Sequence, residues 1–305
     1  MRKLLFIYCL SLVTVIANAA MPYDYSTFFA GTATGSGVLE KATTSTVLTW
    51  NNATTNNGGT NPTIASSSLS YTDANSTKYI DNSPGTNITS ITLASVVTIT
   101  PARSSVFFLS SSALPAATTY YASAMINISA APTTAVKIFN LNNSSVGNSA
   151  YGTVQIKGNV DGSGFQLNVA PGASGTASGY SSTLTYNNTH LVVLKFVYAN
   201  ITNSTDAYLY TNPNFGAEGS PNVSGLNNTS AVATIKGLVI TQNLGLTGTV
   251  SGLRFGTSWA DVVKGKLATP SATGATIGSL TSSGGRTNWT TVTNASSYTL
   301  TVYSV

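Results

Sequence analysis

Side chains equipped for acid–base or metal chemistry are few in this sequence: eight Asp and Glu, one His and one Cys in 305 residues, against thirteen Lys and Arg. Retaining glycoside hydrolysis needs an acid and a nucleophile about 5 Å apart, usually two carboxylates on one strand face. The acids are Asp24, Glu40, Asp73, Asp81, Asp161, Asp206, Glu218 and Asp261, and no two are closer in sequence than Asp73 and Asp81. The same-face spacing is absent, so a glucanase mechanism is disfavoured and the chain is expected not to be an enzyme. A Ser-His-Asp triad would have to use His190 as its base. That residue opens the apolar run from His190 to Phe196 and reads instead as a packing or hydrogen-bonding side chain at a strand edge. One His and one Cys supply no ligand set for zinc or iron. Calcium takes carboxylate and amide oxygens, and Asp206, Asn203 and Asp73 could contribute them. No other cofactor is implied.

Two further clusters stand out against the scarcity of charge. In the run from Asp206 to Tyr210, period-two geometry places Asp206, Tyr208 and Tyr210 on one strand face, which suits either a shelf for a sugar ring or a packing surface. In SGLRFGTSWADVV, residues 251–263, Arg254, Trp259 and Asp261 lie within a few positions of one another. Alternation puts Val250, Gly252 and Arg254 on one face and Ser251, Leu253 and Phe255 on the other. Ser258 can cap the turn that follows, and Arg254 and Asp261 are expected to pair across the corner.

The elements that must position these groups are strands. Only 7% of residues are charged and 42% are hydrophobic, a balance unsuited to surface helices and suited to strands with Thr and Ser on their outer faces. Alternating segments recur along the chain: TIASSSLSY, SITLASVVTIT, SSVFFLSSS, TYYASAMINIS, AVKIFNLN, GTVQIKG, GFQLNVA, STLTYNN, HLVVLKFVY, DAYLYTNP, ATIKGLVITQ and VSGLRFG. Asp161-Gly162 reads as a hairpin turn, and SWADVVKG is the best helical candidate, at a single turn. The fold class is therefore all-β, an antiparallel sandwich or jelly roll.

The leader MRKLLFIYCLSLVTVIANAA has two basic residues, an apolar run too short for the roughly 20 residues of a spanning helix, and an A-x-A site, which is the pattern of a secretory signal peptide over residues 1–20. Its removal takes the only cysteine, so disulfides are excluded, and leaves eleven basic residues against eight acidic, a net charge of +3. The basic residues are scattered, which argues against nucleic acid and against an anionic membrane surface. The Asn-x-Ser/Thr sequons, such as that at Asn127, read as a product of composition.

Two resemblances refine this reading. Residues 21–265 resemble the laminin-G-like, concanavalin A-like jelly-roll modules of secreted modular bacterial proteins of the type IX kind, through SSSLSYTD, TYYASAMINIS, GTVQIKGNVDGSGFQLNV, THLVVLKFVY, DAYLYTNP and SGLRFGTSWADVV in that order. Where that family closes on Asp-Gly-Ile/Leu-Arg, this chain has Ser251-Gly252-Leu253-Arg254. After a linker at 266–272, residues 273–305 resemble the start of a fibronectin type III domain through TNWTTVTNASSYTLTVYS. The full fold takes about 100 residues, so an incomplete β-sandwich and a longer modular protein are expected. The resemblance implies a secreted or cell-surface binding module, for extracellular polysaccharide or a surface protein, within an adhesin or polymer-degrading protein. The alternative is a spacer or stalk without a ligand. Exposed aromatics and amides on a sheet face would favour binding; a face filled or covered would favour the spacer.

Overall fold

The structure is a computed structural model and describes residues 37–38, 50–52, 63–65, 69–75, 78–80, 90–93, 103–108, 119–142, 150–172, 179–199, 204–228, 235, 237–263, 277–281 and 284–287. The expected signal peptide, the linker and Asn203 lie outside the described residues.

The strands are β1 (Gly37–Val38), β2 (Trp50–Asn52), β3 (Thr63–Ala65), β4 (Ser70–Thr72), β5 (Lys78–Ile80), β6 (Ser90–Leu93), β7 (Arg103–Phe108), β8 (Thr119–Ala130), β9 (Val136–Asn142), β10 (Ala150–Gly158), β11 (Phe165–Ala170), β12 (Thr189–Ala199), β13 (Ser204–Thr211), β14 (Val223–Asn228), β15 (Gly237–Gln242), β16 (Thr247–Gly256), β17 (Ile277–Thr281) and β18 (Gly284–Thr287). One helical turn, α1 (Trp259–Val262), follows β16. Eight strands form one sheet in the order β1-β3-β6-β16-β8-β12-β13-β14, and six form another in the order β11-β10-β9-β15-β7-β2. The pairings in both are antiparallel, and spatial neighbours such as β16 and β8 are far apart in sequence, as in a jelly-roll sandwich.

Alternation explains the layers. Tyr120, Ala122, Ala124 and Ile126 of β8 and Val192, Leu194 and Phe196 of β12 point to the six-stranded sheet. There they meet Val154 and Ile156 of β10, Leu167 and Val169 of β11 and Leu238 and Ile240 of β15, making the main core. The opposite faces of β8, β12 and β13 are not simply solvated. Tyr121, Met125, Leu191, Val193 and Tyr210 form a second apolar layer with Tyr71 of β4 and with Trp259, Val262 and Val263 at α1. The β4–β5 hairpin and α1 thus roof part of the outer face of the larger sheet. Both faces of the central strands are buried, so β8 carries almost no exposed position before Ser129.

Three local expectations change. The alternation over residues 250–255 is broken by a bulge: Ser251 pairs with Met125 but Arg254 pairs with Ser123, a shift of one residue. Gly252 absorbs it at φ 61°, a left-handed conformation that glycine adopts without steric cost. Val250, Leu253 and Phe255 therefore all enter the main core, and Ser251 and Arg254 share the outer face. STLTYNN is not a strand; Leu184 makes a single bridge to Phe165, and the Ser181 hydroxyl takes the backbone N–H of Leu167. Conversely VSGLNN, which shows little alternation, forms β14 against β13. The Asp161-Gly162 turn joins β10 to β11 as expected, with the Asp161 carboxylate accepting from the N–H and the hydroxyl of Ser163. Within 273–305, β17 and β18 pair as an antiparallel ribbon.

Candidate functional site

The row Tyr121–Lys195–Tyr208 runs straight across β8, β12 and β13 on the outer face, because strand register sets Lys195 opposite both tyrosines. Two positions further along the same face of β13, Tyr210 lies opposite Val193. The loop from Asn212 to Asn222 folds back over this row. It is pinned at both ends: the Asn222 side chain accepts from Thr211 N–H, and Phe215 N–H donates to the carboxylate of Asp73 at 2.9 Å. Tyr71 adds a hydroxyl to the carbonyl of Pro213 at 3.4 Å and a ring 5.9 Å from that of Phe215.

Held in this way, the loop delivers Glu218 to the row. Its carboxylate accepts from the Tyr121 hydroxyl at 2.7 Å, from Lys195 Nζ at 2.8 Å and from the Tyr210 hydroxyl. Lys195 and Glu218 are each about a quarter exposed, so the pair is neither sealed nor fully solvated. Burial would raise the Glu218 carboxyl, but the hydrogen bonds from Lys195, Tyr210 and Tyr121 outweigh it and hold it below the usual carboxylate range. Burial would likewise lower Lys195, and its contacts with Glu218 and Tyr121 raise it instead. Burial and the bond to Glu218 push the Tyr210 phenol far up, and Tyr121 moves the same way for the same reasons. At neutral pH the site is an ammonium, a carboxylate and neutral phenols.

Tyr208 and Tyr210 do share a face with Asp206, as their spacing requires, but their roles diverge. Tyr210 is buried against Trp259, with ring centroids 4.9 Å apart in an edge arrangement, and belongs to the packing layer. Tyr208 is half-buried, its ring 5.8 Å from Lys195 Nζ and its hydroxyl 3.5 Å from Asp206. Asp73 lies apart from these in function: its two oxygens accept from Asn75 N–H and Phe215 N–H, so it fastens the roof loop. Among the described residues no group of three or more His, Cys, Asp and Glu gathers to hold a metal ion.

The Arg254, Trp259 and Asp261 cluster is a corner. Rather than pairing with Arg254, the Asp261 carboxylate reaches back to the N–H groups of Thr257 and Ser258 at 3.1 and 2.9 Å, answering donors at the start of α1. Arg254 is buried. Trp259 is buried too, and among the described residues neither its indole N–H nor the buried hydroxyl of Ser251 has a partner. Ser123 of β8 donates to the carbonyl of Val262 at 2.8 Å and ties α1 down.

His190 has the structural role expected of it. Asn212 accepts Leu191 N–H on its oxygen, so its amide nitrogen donates to His190 Nδ1 at 3.0 Å. Nε2–H is left to donate to the Thr185 carbonyl at 2.9 Å, which fixes the tautomer. Replacing Asn212 with alanine removes partners from both His190 and Leu191, and Asn212 also holds φ at 51°. The expected cost is about 1–3 kcal/mol in a urea unfolding experiment.

Sequence reasoning did not find Glu218, Lys195 or Tyr121. The one usable signal was that Glu218 is one of only two glutamates and sits in a loop of Gly, Pro and Asn.

No family model matches the chain, and no curated protein matches it in sequence. Among solved structures it is similar to the heptameric SAP-like pentraxin of Limulus polyphemus, at 15% identity and TM-score 0.35 over 54% of this chain and 74% of that one. It is also similar to lectin I-B4 of Griffonia simplicifolia, at 8% identity and TM-score 0.33 over 77% and 98%. A third is the catalytic domain of a glycoside hydrolase family 131 protein from Coprinopsis cinerea, at 11% and 0.35 over 58% and 73%. These likenesses concern the fold alone. They also correct one expectation: with a hydrolase catalytic domain beside lectins among the similar structures, the chain is not set apart from enzymes, and the exclusion of catalysis is withdrawn.

Proposed function

We propose that this chain is a secreted carbohydrate-binding β-sandwich whose contact surface is the outer face of the eight-stranded sheet around Tyr208, Lys195, Asp206 and Glu218. We further propose that residues 21–265 are the binding module and that 273–305 begin a fibronectin type III-like segment of a longer modular protein. The observation that carries the reading is the half-buried Tyr208 ring flanked by the Lys195 ammonium and the Asp206 carboxylate, since an aromatic face with polar groups at its margin suits the apolar face and hydroxyl rim of a sugar. Among the described residues no helix is long and apolar enough to cross a membrane. The roof of Trp259, Tyr71 and Phe215 favours the other reading, a spacer, because it fills part of the same face.

A glycan array probed with the full chain, with and without calcium, separates the two, and release of reducing ends measured alongside reports any cleavage. Binding to at least one glycan, roughly tenfold weaker in Tyr208→Ala, is the expected result. Failure to bind any glycan under either condition overturns the proposal in favour of the spacer.

A further inference from the structure

The hydrogen-bond donors around Glu218 and Glu218 itself are held to different degrees. Tyr121, Lys195 and Tyr210 come from three adjacent strands, and sheet register fixes where each points. Glu218 comes from a loop, in the run Gly216-Ala217-Glu218-Gly219. Gly216 has φ 153°, and a Cβ built on either glycine would meet nothing within 4 Å. Three donors fixed by the sheet are thus answered by a carboxylate carried on a loop, between two glycines that border open space. A fourth donor goes unanswered among the described residues: Trp259, packed edge-on against both Tyr121 and Tyr210, has a buried indole N–H without a partner there.

Resting on the carbohydrate reading above, we infer that the Tyr121–Lys195–Tyr210 cluster is a receptor for the carboxylate of an acidic, uronic-acid-type polysaccharide, and that Glu218 occupies it as an internal competitor. Exchange of one carboxylate for another leaves Lys195 paired and moves no proton, so it avoids the cost of stranding a half-buried ammonium. Release of Glu218 sends a charged side chain into water, where it is well solvated. The Tyr208 ring beside Lys195 gives the sugar ring a surface to stack on, which favours a polysaccharide over an acidic peptide.

Calorimetry with the full chain tests this, using oligogalacturonate, the neutral oligogalactose of equal length and polyglutamate as probes. Wild type should bind oligogalacturonate in preference to the other two. Glu218→Ala should bind it roughly tenfold tighter, because the receptor is no longer occupied from within, and Lys195→Met should lose the preference. Equal affinity of wild type for the acidic and neutral oligosaccharides overturns the inference while leaving a general carbohydrate role. Preference for polyglutamate overturns the choice of a sugar. No tightening in a folded Glu218→Ala variant makes Glu218 a fixed strut and also overturns it. Should Glu218→Ala fail to fold, wild type and Lys195→Met decide: an acidic preference that survives in Lys195→Met overturns the inference, and one that is lost supports it. Absence of binding to every glycan, on the array as well, removes the carbohydrate reading itself.

Discussion

Replacing Phe196 with alanine should lower the unfolding free energy by about 3–5 kcal/mol, the range for truncating a fully buried aromatic side chain. Phe196 has no exposed surface and projects from β12, the strand flanked by β8 and β13, into the space between the two sheets. Across that space its ring lies 6.3 Å from that of Tyr151 on β10. The void would be walled by side chains of two sheets whose spacing is set by many other contacts, so it cannot collapse cheaply. A single cysteine cannot form a disulfide within the chain, and apolar burial must carry the stability without one. Against a total of about 5–15 kcal/mol for a typical domain, the loss is a large fraction. Urea titration should show a lowered midpoint with an unchanged slope. Leu226→Ala, at a half-exposed position, should move the midpoint very little.

The second large effect is a loss of stability in alkali. Burial, with the charge of Asp73, pushes Tyr71 up to about 12, and burial raises Tyr121, Tyr208 and Tyr210 as well. In the unfolded chain these phenols ionise near pH 10, so above that pH the unfolded state holds fewer protons than the folded one. Stability contributed by the neutral phenols is complete below pH 10 and falls as pH climbs through the folded values, by up to about 1.4 kcal/mol per pH unit for each tyrosine. Lys195, raised by Glu218, adds to the same trend. Urea midpoints measured from pH 7 to pH 12 should be level at first and then drop steeply. Tyr210→Phe should give a shallower drop, and an equally steep one would show that Tyr210 takes no part.

The core was legible in the sequence wherever one face of a strand had to be apolar. TYYASAMINIS, HLVVLKFVY and DAYLYTNP became β8, β12 and β13, with Tyr208 and Tyr210 on one face as period two demands. Alternation failed where something else supplied the hydrogen bonds. The segment around Leu184 runs beside β11 but answers it partly through the Ser181 side chain, and β14 is a sheet-edge strand whose Gly225 has no side chain to show a pattern. The bulge at Gly252 was invisible because alternation carries no mark of an inserted residue. The candidate site was the least legible part, since Glu218 meets partners 97, 23 and 8 positions away. Only the strand register brings those three donors together, and single-sequence periodicity says nothing about which strands become neighbours.

The bulge constrains how this strand can evolve. Gly252 acts as a phase shifter: were the same residues to run as an unbulged strand, Leu253 and Phe255 would turn outward and Arg254 would enter the core, whereas deletion of Gly252 itself would leave Val250, Leu253 and Phe255 inward by plain alternation. Relatives of this chain should therefore either keep glycine at the bulge, where the left-handed conformation costs it nothing, or lack that position altogether.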